Sequence, residues 1–162
     1  MSQQIIFRPI GFIRSPHTKP EETPIQPAFA HGCRGRAEIL PEYAAGLKDL
    51  EGFSHLYLIY HLHQAGPFRL LTRPFLEDVE RGLFATRSPR RPNPIGLSVV
   101  ELLKVEGSVL HLDRLDMLDG TPLLDIKPYS ERFDRMGKVR QGWMDGIDPG
   151  QAEARGRRGF KG

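Results

Sequence analysis

Three prolines fall within six residues, at positions 89, 92 and 94, in the run Arg87-Ser88-Pro89-Arg90-Arg91-Pro92-Asn93-Pro94. Each proline fixes its own φ, removes a backbone donor and biases the residue before it away from the helical region, so this run forms neither a helix nor a regular ladder. The constraint extends along the chain: 14 prolines and 17 glycines make up about a fifth of 162 residues, against about 12 % in average usage. A helical bundle is excluded by such punctuation. What remains is a set of short extended segments joined by stiff turns, and the length suits one core rather than two.

The segments between the turns read accordingly. Residues 5–14 are β-branched and aromatic and predict a strand that Pro9 pushes to an edge or a bulge. Residues 17–30, with prolines at 20, 24 and 27, predict a long loop of the kind that is either functional or disordered. A second strand is predicted over 34–40. A short helix follows over 41–50, with Pro41 at its first position and Tyr43, Leu47 and Leu50 on one face. Residues 54–63 are apolar on both alternating faces and predict a strand buried on both sides. Residues 69–80 read as loop and 82–86 as a short strand. The runs 95–105 and 108–115 flank Glu106-Gly107 as a hairpin, and 125–129 is a last extended piece. Beyond about Asp134 the Gly-rich, polar composition predicts a peripheral segment, residues 135–162, anchored by Trp143. The fold class is mainly β: a single barrel or coiled-sheet domain with one or two short helices. A Rossmann fold is not expected, because strands and helices do not alternate and Gly32-Cys33-Arg34-Gly35 lacks the dinucleotide-binding spacing.

Charge is distributed unevenly. The net charge is +3, and all of it comes from residues 151–162, where Arg155, Arg157, Arg158 and Lys161 face one acid, Glu153. Attraction to nucleic acid therefore has to come from local clusters and this tail. The single Cys33 makes neither an intrachain disulfide nor a thiolate zinc site, and reads as a small buried hydrophobe. No run approaches about 18 apolar residues, and Met1-Ser2-Gln3-Gln4 lacks the pattern of a secretory signal, so a cytoplasmic protein without membrane attachment is the expectation.

Two segments offer chemistry. The guanidiniums of Arg87, Arg90 and Arg91, on a proline-stiffened loop, lose little freedom on binding an anion or a planar ring; the same composition also suits a solvated basic turn. Asp119-Gly120-Thr121-Pro122 is a turn whose carboxylate and amides can converge on a polar ligand edge, or simply join two strands. His61 and His63 share a side of one strand, but His55, the third by parity, lies about 20 Å away at ~3.3 Å per residue, so no metal site is expected.

Four motifs, in order, resemble the TsaA-like domain: Arg8-Pro9-Ile10-Gly11-Phe12-Ile13-Arg14-Ser15-Pro16; Leu50-Glu51-Gly52-Phe53-Ser54-His55-Leu56 with His63-Gln64; Leu83-Phe84-Ala85-Thr86-Arg87-Ser88 through Arg91-Pro92-Asn93-Pro94-Ile95-Gly96-Leu97-Ser98; and Asp119-Gly120-Thr121-Pro122 with Asp125-Ile126-Lys127-Pro128-Tyr129. The resemblance spans residues 5–134. It implies a non-Rossmann β-barrel methyltransferase that uses S-adenosylmethionine, forms homodimers with the cofactor near the subunit interface, and methylates N6 of threonylcarbamoyladenosine, position 37, beside the tRNA anticodon. By motif position it puts cofactor contacts at Pro24, Ile25, Gln26, His63, Gln64, Arg87, Leu97, Leu118, Asp119, Gly120, Thr121 and Pro122.

Within that implication, Pro24, Ile25 and Leu97 suit the adenine faces, amides around Gly120 or Gln26 its edge, Arg87 the carboxylate, and Asp119 the ribose or ammonium. Asp119, Asp125 and Tyr129 are candidate proton acceptors, with Lys127 or Arg91 as electrostatic partners; Lys127 and Tyr129 also read as a surface pair capping the last strand. Arg14, Arg90 and Arg91, with the tail from Arg155 to Lys161, are the expected RNA phosphate contacts. Longer bacterial members continue into a further C-terminal domain, whereas about 28 residues follow Asp134 here. Two other readings stay open: a methyltransferase of this fold with another acceptor, and a non-enzymatic RNA- or ligand-binding barrel.

Overall fold

The computed structural model describes residues 3–158, so Lys161 of the basic tail lies outside the described residues. Among the described residues eight strands form in chain order: β1 (Gly11–Arg14), β2 (Gly35–Ile39), β3 (His55–His61), β4 (Leu71–Thr72), β5 (Arg81–Gly82), β6 (Ile95–Glu106), β7 (Val109–Asp113) and β8 (Pro122–Pro128). Two short helices follow, α1 (Glu131–Asp134) and α2 (Pro149–Ala154). Six strands close into an antiparallel barrel in the order β1-β2-β7-β6-β3-β8, while β4 and β5 pair as a separate ribbon. Closure leaves no unpaired edge among the barrel strands.

The barrel has one interior, and this corrects the reading of residues 54–63. Along β3 burial alternates: Leu56, Leu58 and Tyr60 point inward, while Tyr57 and Ile59 are half-buried on the outer face and His61 is exposed. With Ile13, Ala37, Val100, Leu110, Leu112 and Leu123 these residues form the core. Each fully buried leucine contributes about 1.5–3 kcal/mol relative to exposure. A register shift between Ile59 and Tyr60 on the β3–β8 pair bends the strand where Tyr60 approaches the barrel mouth.

Other expectations shift for local reasons. Of residues 5–14 only Gly11–Arg14 form β1, because Pro9 cannot donate to a ladder, and Ile5, Ile6 and Phe7 remain exposed. The segment expected as a helix over 41–50 closes instead as 3-10 turns at Pro41–Leu47 and Leu50–Gly52; Asp49 between them sits at φ 66°, which breaks the helical path, and Tyr43 is exposed rather than on a buried face. Residues 69–80, read as loop, contain β4. The strand expected over 82–86 is replaced by the end of β5 and a 3-10 turn at Leu83–Ala85. The β6–β7 hairpin turns on Gly107 at φ 60°, the left-handed position glycine adopts without a Cβ clash.

The C-terminal segment has more anchors than Trp143. The Trp143 indole N–H donates to the Ala85 carbonyl at 2.8 Å and the Arg81 guanidinium lies over its ring at 5.9 Å. Arg155 pairs with Asp78 at 2.7 Å. Residues 156–158 then return to the proline loop: the Ile25 amide donates to the Gly156 carbonyl at 2.8 Å and the Arg158 amide to the Thr23 carbonyl at 3.1 Å, with Pro24 bridged to Arg157.

Candidate functional site

Two adjoining cavities open at one end of the barrel, where the C-terminal end of β3 meets the start of β6. One, of about 270 Å³, is lined by Tyr60, Leu62, His63, Gln64, Arg90, Leu118 and Thr121 among others. The second, of about 240 Å³, is lined by Ile25, Gln26, Arg87, Arg91, Gly96 and Leu97 among others. Tyr60, Leu62, Pro89 and Arg158 line both. Four segments far apart in sequence thus meet: the proline loop, the end of β3, the Arg-Pro loop running into β6, and the turn before β8. The first cavity is mainly apolar and the second mixed, with Gln26, Arg87, Arg91 and Arg158 in its wall, and together they reach the several hundred Å³ that a small-molecule site requires.

The floor is a buried hydrogen-bond chain. The Ser98 hydroxyl donates to Asp116 Oδ1 at 2.7 Å, and the Tyr60 and Ser98 hydroxyls are 2.9 Å apart. Because Ser98 has one proton and gives it to the carboxylate, Tyr60 donates to Ser98 when Asp116 is ionised. Burial pushes the Asp116 carboxyl up to about 6, against the pull of Ser98, Arg158 and Arg87, and burial followed by the Asp116 charge pushes the Tyr60 phenol up. Tyr60 stays neutral, and its ring occupies the space a side chain at Gly96 would need. Glycine in β6 is therefore what admits the ring beneath the cavities.

The Arg-Pro loop is held by its own guanidiniums. Arg87 Nη1 donates to Gln26 Oε1 at 2.6 Å, tying this loop to the proline loop. Arg91 Nη1 donates to the Thr86 and Ser88 carbonyls at 2.9 and 3.3 Å, and its guanidinium lies over the Phe84 ring at 5.7 Å. Ile25, Gln26, His63, Gln64, Arg87, Leu97, Leu118 and Thr121 all line the cavities, as do Arg90 and Arg91. Burial, followed by the His61 charge, lowers the His63 pKa, so the imidazole facing the first cavity is neutral near pH 7.

Other residues singled out in the sequence lie elsewhere. Pro24 is buried behind the cavity wall, in the bridge to Arg157. Asp119 caps the Ser15 amide through Oδ1 at 3.1 Å, and the amides of Gly120 and Thr121 donate to the Ile13 and Leu118 carbonyls at 2.8 and 3.2 Å, so these two amides are already engaged. Pro122 faces a third cavity, with Ile5, Phe7 and His61. Arg14 is engaged with Glu38 at 3.1 Å on the β1–β2 face. Lys127 pairs with Asp125 at 3.0 Å and aligns with Tyr57, while the Tyr129 amide donates to the His55 carbonyl at 3.1 Å. Along β3, Tyr57 lies about 13 Å and His55 about 20 Å from His61 at ~3.3 Å per residue. Cys33 is half-buried, and burial with the Asp113 charge raises its thiol pKa, the reverse of an activated nucleophile. Among the described residues no three metal-ligating side chains converge.

Tyr60, Ser98, Asp116 and Arg158 are the residues that sequence reasoning missed. The first three read as ordinary strand and turn positions, and Arg158 as one of several basic residues in a tail.

Residues 12–135 match the tRNA-methyltransferase O N-terminal domain. The chain belongs to this family. A probable S-adenosyl-L-methionine-binding protein of Pyrococcus abyssi is 50% identical over 141 residues, covering 87% of this chain and 77% of that protein. The tRNA (adenine(37)-N6)-methyltransferase of Escherichia coli is 41% identical over 133 residues, covering 76% of this chain and 57% of that protein. A crystal structure of TrmO from Pseudomonas aeruginosa matches with a TM-score of 0.76 and 40% identity, covering 92% of this chain and 65% of that one. This chain therefore spans less than two thirds of the last two proteins. The closed six-stranded barrel of this chain is not a Rossmann fold and matches the fold of that TrmO structure. Arg158 and the segment that carries it fall outside the matched residues.

Proposed function

We propose that the protein is an S-adenosylmethionine-dependent methyltransferase acting on adenine N6 in tRNA, with threonylcarbamoyladenosine at position 37 as the acceptor. One observation carries this reading: three of the four segments that resemble the family's motifs meet the proline loop at the two adjoining cavities at one barrel end. The residues there fit the cofactor's chemistry. Ile25 and Leu97 offer apolar contact to an adenine, and the Arg87 guanidinium, oriented by Gln26, stands in the same cavity for an anionic group. When bound, the cofactor supplies an electrophilic methyl group on a sulfonium.

The chain's own work is mostly positioning. Tyr60, fixed through Ser98 to Asp116, gives both cavities a rigid wall, and the prolines stiffen the loop that carries Arg87, Arg90 and Arg91. Exocyclic adenine nitrogen loses a proton on methylation, and of the acceptors suggested by the sequence Asp119 is on the turn that borders the first cavity. Lys127 and Tyr129 line neither of the two cavities, and a role for them is assigned to the proposed homodimer, in which a second subunit would supply them. Arg90 and Arg91 on the cavity rim suit RNA phosphates or bases.

Calorimetry with S-adenosylmethionine on the full chain tests the cofactor. Binding that Arg87→Ala weakens about 10-fold or more supports the reading; absence of binding overturns it. Mass analysis of anticodon-loop nucleosides from cells lacking the protein tests the acceptor, and unchanged methylation at adenosine 37 would remove tRNA from the proposal.

A further inference from the structure

The polypeptide does not leave the barrel at its last helix. After α2 it runs back along the proline loop, and the amide of Arg158 is pinned to the Thr23 carbonyl at 3.1 Å. This places the Arg158 side chain between the two cavities, where it lines both. Its Nε is buried and has no hydrogen-bond partner, and among the described residues its guanidinium makes no hydrogen bond or ion pair. Of the neighbouring guanidiniums, Arg87 is bonded to Gln26 and Arg91 to two backbone carbonyls, while Arg90 is on an exposed residue.

A buried donor without an acceptor is costly and calls for one. The nearest acid does not serve. Asp116 feels the Arg158 charge, but its Oδ1 is taken up by Ser98 and it forms no ion pair with Arg158. The other charged groups facing the cavities are Glu21, Arg87, Arg90 and Arg91, so the walls are net positive around the shared point. A planar fork of donors held in a half-buried, positive wall matches a carboxylate.

We propose that Arg158, delivered by the C-terminal strap, is a carboxylate-binding residue of this site. The inference rests on the methyltransferase reading, under which two carboxylates are available: that of the cofactor's amino-acid end and that of an amino-acid-modified acceptor adenosine.

The test compares wild type, Arg158→Gln and Arg158→Lys as full chains in two arms. In the first, calorimetry measures S-adenosylmethionine against its decarboxylated form. In the second, initial rates give KM for acceptor RNA carrying the free carboxylate against its methyl ester. The expected result is a loss of about 10-fold to 100-fold for Arg158→Gln toward the carboxylate-bearing partner in one arm. The form lacking the carboxylate should be affected less than about 2-fold, with partial recovery in Arg158→Lys. The arm that discriminates identifies the source. Equal losses for both forms would reduce Arg158 to a scaffold role, and no loss in either arm would remove it from the site; each overturns the inference. Wild type that binds no S-adenosylmethionine is a separate result, and it overturns the methyltransferase reading itself.

Discussion

Replacing Asp116 with asparagine should stabilise the protein progressively as pH rises. In the unfolded chain this carboxyl ionises near the ordinary 3.8, whereas burial holds its proton up to about 6 in the folded barrel. Between those values the folded state binds more protons than the unfolded state, so this group's contribution falls as pH rises, and the full cost is present above about 6. A shift of roughly two units corresponds to about 3 kcal/mol at 1.36 kcal/mol per unit. At pH 4 most of that difference has not yet developed, and the cost is about 0.5 kcal/mol. The asparagine carbonyl still accepts the Ser98 proton, so the chain to Tyr60 is kept. Urea unfolding of both proteins at several pH values between 4 and 8 measures the effect. The stability difference, asparagine minus aspartate, should grow by about 2.5 kcal/mol across that range. Repacking of the amide adds an offset that does not vary with pH, and other titrating groups occur in both proteins. A flat difference would refute the claim that this carboxyl is kept protonated by burial.

Three further outcomes follow from the same contacts. Gly96→Ala puts a methyl group where the Tyr60 ring lies, so it should lower stability by about 1–3 kcal/mol in denaturant unfolding. Burial lowers the pKa of His17, whose Nε2 meets the Leu115 carbonyl at 2.8 Å. The folded state thus resists protonation and loses stability on acidification below about 6.5, so thermal unfolding of His17→Gln should show a shallower fall in midpoint on the acid side. Arg90→Ala should weaken RNA binding in filter or fluorescence titrations and reduce the slope of log affinity against log salt by about one; an unchanged slope would take Arg90 off the phosphate path.

The Arg-Pro loop and the Asp-Gly-Thr-Pro turn were legible in the sequence because turn chemistry is written in φ, and proline and glycine state it directly. The same holds for the Gly107 hairpin and for the mainly β class, since 14 prolines and 17 glycines leave no long helix. Alternation along β3 was less legible. Apolar residues on its outer face, Tyr57 and Ile59, look buried when only the strand is read, and only closure of the barrel decides which face is inside.

Depth and company, in contrast, came from the tertiary structure alone. Asp116 reads as one acid among several beside a turn, yet the pairing of β6 with β3 and β7 brings Ser98 to it and buries it almost completely. Lys127 and Tyr129 sit close to Asp119 in sequence, but β8 carries them away from the cavities, Lys127 to a place opposite Tyr57 and Tyr129 to His55 at the start of β3. Arg158 is 135 residues from Thr23 in the chain and within one hydrogen bond of it in space. Backbone preference is a property of one or two neighbouring residues and so can be read from them. Burial, and the charge a group carries because of it, belong to contacts between distant segments, which no local pattern encodes.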